Sequence, residues 1–133
     1  MLRNAAAGML VTLMVAYATA SLARSQPQQP TSAVKEFTVV AERYAFTPSR
    51  IEVNEGDRVR ITLKSADGTH GFAIRRLKVQ QEIPKGGTPV TVEFVTDQPG
   101  TFEIKCSEYC GRGHSDMKAT LVVSPRTAEG GKQ

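Results

Sequence analysis

Val59, Ile61 and Leu63 alternate strictly with Arg58, Arg60, Thr62 and Lys64, and the run closes at Asp67-Gly68. A strand sends successive side chains to opposite faces, so this period of two suits a strand and not a helix. The same texture recurs along the chain. Ile51 and Val53 run into the turn Asn54-Glu55-Gly56-Asp57, and Val90, Val92 and Phe94 lead to Pro99-Gly100. Phe102 and Ile104 precede Cys106, while Leu121 and Val123 precede Pro125. Phe37 and Val39 keep the alternation although Val40 blurs its register, and Tyr44 and Phe46 come just before Pro48. Short alternating runs punctuated by Gly, Pro, Asn and Asp predict an all-β fold, an antiparallel sandwich or barrel. No segment beyond the N-terminal residues shows a capped helical stripe.

The 133 residues suffice for one domain with a real core. Arg3 is followed by an apolar run from Ala5 to Leu22, with Ala18-Thr19-Ala20 and Ser21-Leu22-Ala23 as small-residue cleavage sites. Residues 1–23 therefore read as a signal peptide, or as a membrane anchor if uncleaved; the Ala-rich, Thr-broken run favours cleavage. Residues 24–35 are Pro/Gln-rich and polar, a spacer with nothing to bury. The folded domain is expected over 36–124, with a flexible tail over 125–133. The domain is thus placed in the periplasm or another extracytoplasmic space, soluble if the signal is cleaved and membrane-anchored if it is not. The net charge of +4 is spread over mixed signs, without the dense basic stripe that nucleic-acid binding needs.

Chemistry concentrates in Cys106-Ser-Glu-Tyr-Cys110-Gly-Arg-Gly-His114-Ser-Asp-Met117. Thiolate, imidazole and thioether together are the donor set that soft copper prefers. The second histidine, His70, follows Asp67-Gly68-Thr69 at the end of a strand-like run, and sandwich loops gather at one end. Other readings stand beside copper. Spacings of four, four and three also make a helical stripe, but Gly111 and Gly113 oppose a helix. A Cys106–Cys110 disulfide is permitted in an exported chain, and it leaves His114 and Met117 unused. A Cys2His2 zinc site has no use for Met117. A single blue copper takes one Cys, two His and a Met, which strands one cysteine. Two thiolates bridging two copper ions give every donor a place, with one histidine for each ion.

The pattern Cys-x-Glu-x-Cys-x3-His-x2-Met, preceded by Asp-x-x-His, resembles the dinuclear CuA site of cytochrome c oxidase subunit II and of nitrous oxide reductase. It is met by Cys106, Glu108, Cys110, His114 and Met117, with Asp67 and His70 upstream. Tyr44-Ala-Phe46-Thr-Pro48, Ile51-Glu-Val53, His70-Gly-Phe72, Pro99-Gly100 and Leu121-Val-Val123 are similar to landmarks of the short, single-anchor subunit II type. The resemblance implies a cupredoxin-like Greek-key sandwich or barrel holding a mixed-valence copper pair. It assigns bridging thiolates to Cys106 and Cys110, one imidazole each to His70 and His114, a weak thioether to Met117 and a main-chain carbonyl to Glu108. It implies single-electron transfer with a redox protein partner, a cytochrome c or a haem–copper oxidase subunit I. Departures are the lack of a two-helix hairpin, the absence of Trp, and a basic Arg75-Arg76-Leu77-Lys78 segment, read as a solvated loop.

Two function classes follow. One is an electron-transfer module, a short oxidase subunit II or a free periplasmic domain; the other is a copper-delivery or storage protein without a respiratory role. No Ser-His-Asp set, phosphate loop or carboxylate pair points to catalysis by the chain itself, and both histidines are assigned to metal. As part of an oxidase it would be the electron-accepting subunit.

Overall fold

A computed structural model describes residues 34–127. The signal or anchor segment, most of the spacer and the end of the tail lie outside the described residues. Nine strands form two sheets: β1 (Val34–Glu42), β2 (Ala45–Thr47), β3 (Arg50–Asn54), β4 (Arg58–Ser65), β5 (His70–Ile74), β6 (Val79–Ile83), β7 (Val90–Val95), β8 (Gly100–Lys105) and β9 (Lys118–Ser124). One sheet has the order β2-β1-β4-β7 and the other β3-β9-β8-β5-β6. Helical structure among the described residues is confined to two 3-10 turns, Arg75–Leu77 and His114–Asp116. No helix among the described residues is long and apolar enough to cross a membrane.

The all-β, two-sheet architecture is the one the alternation predicts. Each alternating run turns one face inward: Val59, Ile61 and Leu63 from β4, Ile51 and Val53 from β3, Phe102 and Ile104 from β8, Leu121 and Val123 from β9. Phe46 and Phe72 meet edge to face, with ring centroids 6.0 Å apart. One detail departs from an all-antiparallel sandwich. β1 runs parallel to β4, and β3 runs parallel to β9. The chain changes sheets after β2, β3, β4, β6 and β7, and these crossings let non-consecutive strands lie side by side.

The two ends of the sandwich differ in chemistry. At one end Asp57 is 1% exposed, takes the Asn54 N–H at 2.9 Å and is paired with the Arg126 guanidinium at 2.6 Å. Thr96 Oγ1 donates to the Asn54 carbonyl at 2.8 Å and closes the same corner. Asp57→Ala should lower unfolding stability by about 1–2 kcal/mol, because it leaves the Asn54 N–H unpaired and removes the pair with the half-exposed Arg126. Chemical denaturation checks this, and metal binding at the other end should be unaffected in the folded variant. The opposite end collects the last residues of β1, β4 and β8 and the first residues of β5 and β9. The cysteine loop sits there.

Candidate metal centre

The loop between β8 and β9 carries Cys106 to Met117, and its ends are tied by the Cys106 N–H donating to the Met117 carbonyl at 3.2 Å. That bond puts the first and last donors of the segment side by side. Inside the loop, the N–H groups of His114, Asp116 and Met117 donate to the carbonyls of Gly111, Gly113 and His114, making the 3-10 turn that carries His114. Gly111 has φ +133°, a conformation open to glycine and strained for other residues. Tyr44 fills the space beside it: a Cβ on Gly111 would lie 2.5 Å from the Tyr44 hydroxyl, and one on Gly113 would fall on the Tyr44 ring.

Cys106 Sγ and Cys110 Sγ stand 3.6 Å apart, and both cysteines are free and buried. A disulfide requires about 2.05 Å, so the two act as separate thiols. The Cys106 thiol donates to the Glu108 carbonyl at 3.1 Å. Cys110 Sγ lies 3.8 Å from His114 Nδ1 and 3.8 Å from Met117 Sδ. Burial, and the neighbouring Cys106 thiol, push the Cys110 thiol up to about 11. Both effects disfavour a bare thiolate there.

His70 comes from β5, the neighbour of β8 in the same sheet. It is fully buried at the head of β5, not on a loop, and its ladder partner is Ile83 of β6. Its Nε2 is 2.6 Å from Asp67 Oδ1, while its Nδ1 is buried without any hydrogen-bond partner. The Asp67 carboxylate accepts the hydrogen bond at Nε2, which leaves Nδ1 as the ring nitrogen turned inward without a partner. Donor atoms of His70, Cys106 and Cys110 all lie within 4.8 Å of one another. An orphaned buried imidazole nitrogen beside two soft thiols is an arrangement that a bound soft metal completes.

Asp67 is itself fixed. Desolvation would raise its pKa, but hydrogen bonds from His70 and from the Arg43 and Gly68 N–H groups, with the charge of His70, outweigh it and hold the carboxyl down at about 2. A carboxyl lowered in the folded state adds stability above its unfolded value near 3.9, and the addition is lost as pH falls through about 2. Because Asp67 is open to solvent and its pairing is screened, copper-free chain should lose on the order of 1 kcal/mol between roughly pH 4 and pH 2 from this group alone. Asp67→Asn should remove that part of the acid limb in urea titrations; an unchanged limb would rule Asp67 out as its source.

All six residues singled out in the sequence, His70, Cys106, Glu108, Cys110, His114 and Met117, thus meet at one end of the sandwich. Two supports escaped that reading. Arg43 brackets the site, its N–H on Asp67 Oδ2 at 2.9 Å and its Nε donating to the Cys110 carbonyl at 2.9 Å. Gly71 lets β5 press against the loop, since a Cβ there would lie 2.6 Å from Glu108 N and 2.8 Å from Ser107 N. A glycine inside a strand run is the one sequence signal of such an approach.

The family model described as a cupredoxin-like domain matches residues 9–123. Cytochrome c oxidase subunit 2 of Thermus thermophilus is 34% identical over 85 residues, which are 64% of this chain and 62% of that protein. Nitrous-oxide reductase of Cupriavidus necator is 32% identical over 89 residues, covering 64% of this chain and 14% of the enzyme. The chain therefore spans less than two thirds of the length of either relative. Among solved structures, the periplasmic domain of subunit II of cytochrome oxidase (CoxB) of Bradyrhizobium japonicum superposes with a TM-score of 0.63 at 18% identity, covering 69% of this chain and 85% of that one. At that identity the superposition shows the shared fold.

Proposed function

The chain belongs to the cupredoxin-like domain family, and from that premise we propose that it is an extracytoplasmic electron-transfer domain built to hold a dinuclear copper centre of the CuA type. The observation that carries this reading is the meeting of two free, buried thiols 3.6 Å apart with the unpartnered Nδ1 of His70. Cys106 and Cys110 would bridge the metals, His70 and His114 would each hold one, and Met117 and the Glu108 carbonyl would supply the weak donors. When bound, the copper pair supplies storage for one electron shared over both ions.

The chain's own residues supply the rest. Asp67 sets the His70 tautomer and ring angle through the 2.6 Å contact at Nε2. Arg43, held by Asp67 and holding the Cys110 carbonyl, ties the histidine to the loop so that neither moves alone. Met117 and His70 are fully buried and the two cysteines nearly so, which keeps water out and limits rearrangement on a change of charge. His114 is half-buried and offers the edge through which a redox partner reaches the centre. The partner is proposed to be a cytochrome c or the subunit I of a haem–copper oxidase, in line with the relative that is an oxidase subunit 2. Since burial and the neighbouring Cys106 push the Cys110 thiol up to about 11, copper binding there releases its proton and tightens as pH rises.

The test is reversible redox cycling of the copper-loaded chain in the presence of a Cu(I) chelator. A redox domain keeps its copper in both oxidation states through repeated cycles. Loss of copper to the chelator on reduction would instead identify a delivery protein.

A further inference from the structure

The centre opens on one side into a surface depression of about 210 Å³ lined by Arg75, Lys105, Cys106, His114, Ser115 and Met117. A second hollow of about 200 Å³ adjoins it and shares Arg75 and Lys105, adding Arg76 and Glu103. Lys118 pairs with Lys105 across β8 and β9, so it belongs to the same face. The carboxylates are few. Glu103 alone serves both lysines, at 3.3 Å from Lys105 Nζ and 3.4 Å from Lys118 Nζ. Arg76 lies over the Phe102 ring at 4.9 Å, and Arg75 makes no ion pair among the described residues. Asp116 on the neighbouring 3-10 turn is without an ion pair among the described residues. The residues lining the two hollows thus include three cations, Arg75, Arg76 and Lys105, and one carboxylate, Glu103. Beside them Tyr109, 78% exposed, lies against the His114 ring with centroids 5.8 Å apart.

We propose that this face is a docking surface for a redox protein whose own contact surface is acidic. The inference rests on the electron-transfer reading and names the charge of its partner. Excess positive potential around the partly exposed His114 steers an acidic surface to the metal edge, and an exposed aromatic ring at that edge gives a contact that excludes water. The hollows are concave and sit where the metal donors surface, which suits a protruding protein surface better than a flat lipid bilayer. In the encounter one electron leaves the reduced protein and enters the oxidised one; no bond forms and no proton moves.

Two readouts test it on the full chain. In the first, the reduced copper-loaded chain is oxidised in stopped flow by hexacyanoferrate(III), an anion that becomes hexacyanoferrate(II), and separately by the cationic tris(phenanthroline)cobalt(III). The anionic oxidant should slow as salt rises while the cationic one should not. Arg75→Glu combined with Lys105→Glu should cut the anionic rate about tenfold at low salt with copper content unchanged. Equal salt dependence for both oxidants, or no effect of the charge reversals, would overturn the proposal. The second readout needs no copper, so it survives failure of the electron-transfer reading: a polyglutamate peptide is titrated into the metal-free chain under NMR. Amide shifts confined to Arg75–Lys78, Lys105 and Ser115–Lys118 support the face; shifts scattered over the surface, or none, overturn it. Co-sedimentation with phosphatidylglycerol vesicles that depends on Arg75 and Lys105 would overturn the protein assignment in favour of a membrane.

Discussion

Cys110→Ser should leave a folded chain that takes up one copper where the parent is expected to take up two, with the parent's visible spectrum lost. Cys110 is the hub of the cluster: its Sγ lies 3.6 Å from Cys106 Sγ, 3.8 Å from His114 Nδ1 and 3.8 Å from Met117 Sδ. Serine keeps the volume nearly unchanged, and the thiol it replaces is held neutral because burial and Cys106 push it up to about 11, so no buried charge is lost. The fold should therefore stand. A serine hydroxyl is too weak an acid to bridge soft copper, so one metal has only Cys106, a histidine and a weak donor left. Metal analysis and the electronic spectrum check this directly. Two coppers and an unaltered spectrum in the variant would remove Cys110 from the ligand set.

Gly71→Ala tests how the site is held rather than what holds the metal. Gly71 is not in the left-handed region, so backbone conformation does not demand glycine there; space does. An added methyl would stand 2.6 Å from Glu108 N and 2.8 Å from Ser107 N, and would collide with the Ser107 hydroxyl. Two of those three neighbours are backbone, which cannot swing away as a side chain does. β5 must therefore separate from the cysteine loop, carrying His70 away from Cys106 and Cys110. The expected cost is about 2–3 kcal/mol of stability and at least a tenfold loss of copper affinity. Thermal unfolding and a competitive copper titration measure the two. Gly86→Ala is the control, since a Cβ there meets nothing within 4 Å and only its φ of +99° opposes the change. Equal effects at both positions would show that the approach of β5 to the loop is not what holds the site.

The legible and illegible parts of this fold divide on physical lines. β4 and β9 announce themselves because each buries one face and wets the other. β5, His70–Ile74, does not, because all five of its residues are buried and a strand covered on both faces loses its alternation. That is why His70 read as a loop residue when it heads a strand. The parallel pairing of β1 with β4 and of β3 with β9 is silent in the sequence, since a half-buried strand shows the same pattern whichever way its neighbour runs. Arg75–Lys78 was expected as a solvated loop. Arg75 and Arg76 are exposed on a 3-10 turn as expected, while Leu77 packs against the core.

The site divides the same way. Five of its donors lie within one loop, so their spacing alone displays them, and His70 is the other histidine in the chain. Arg43 has no such signal. Its hydrogen bond to Cys110 spans 67 positions, and nothing about an exposed arginine before a tyrosine foretells it. Asp67 stood in the pattern without a role, and its role rests on the ring nitrogen it reaches. Donor identity is thus local information, while the posture of the donors is tertiary.

The central claim is that the thiols of Cys106 and Cys110 are shared by two metals. Electron paramagnetic resonance of the copper-loaded, singly oxidised chain, taken with its copper content, tests that claim most directly. Two coppers per chain are expected, with hyperfine structure from one unpaired electron coupled equally to both nuclei. One copper per chain, with the hyperfine pattern of a single nucleus, would contradict that claim.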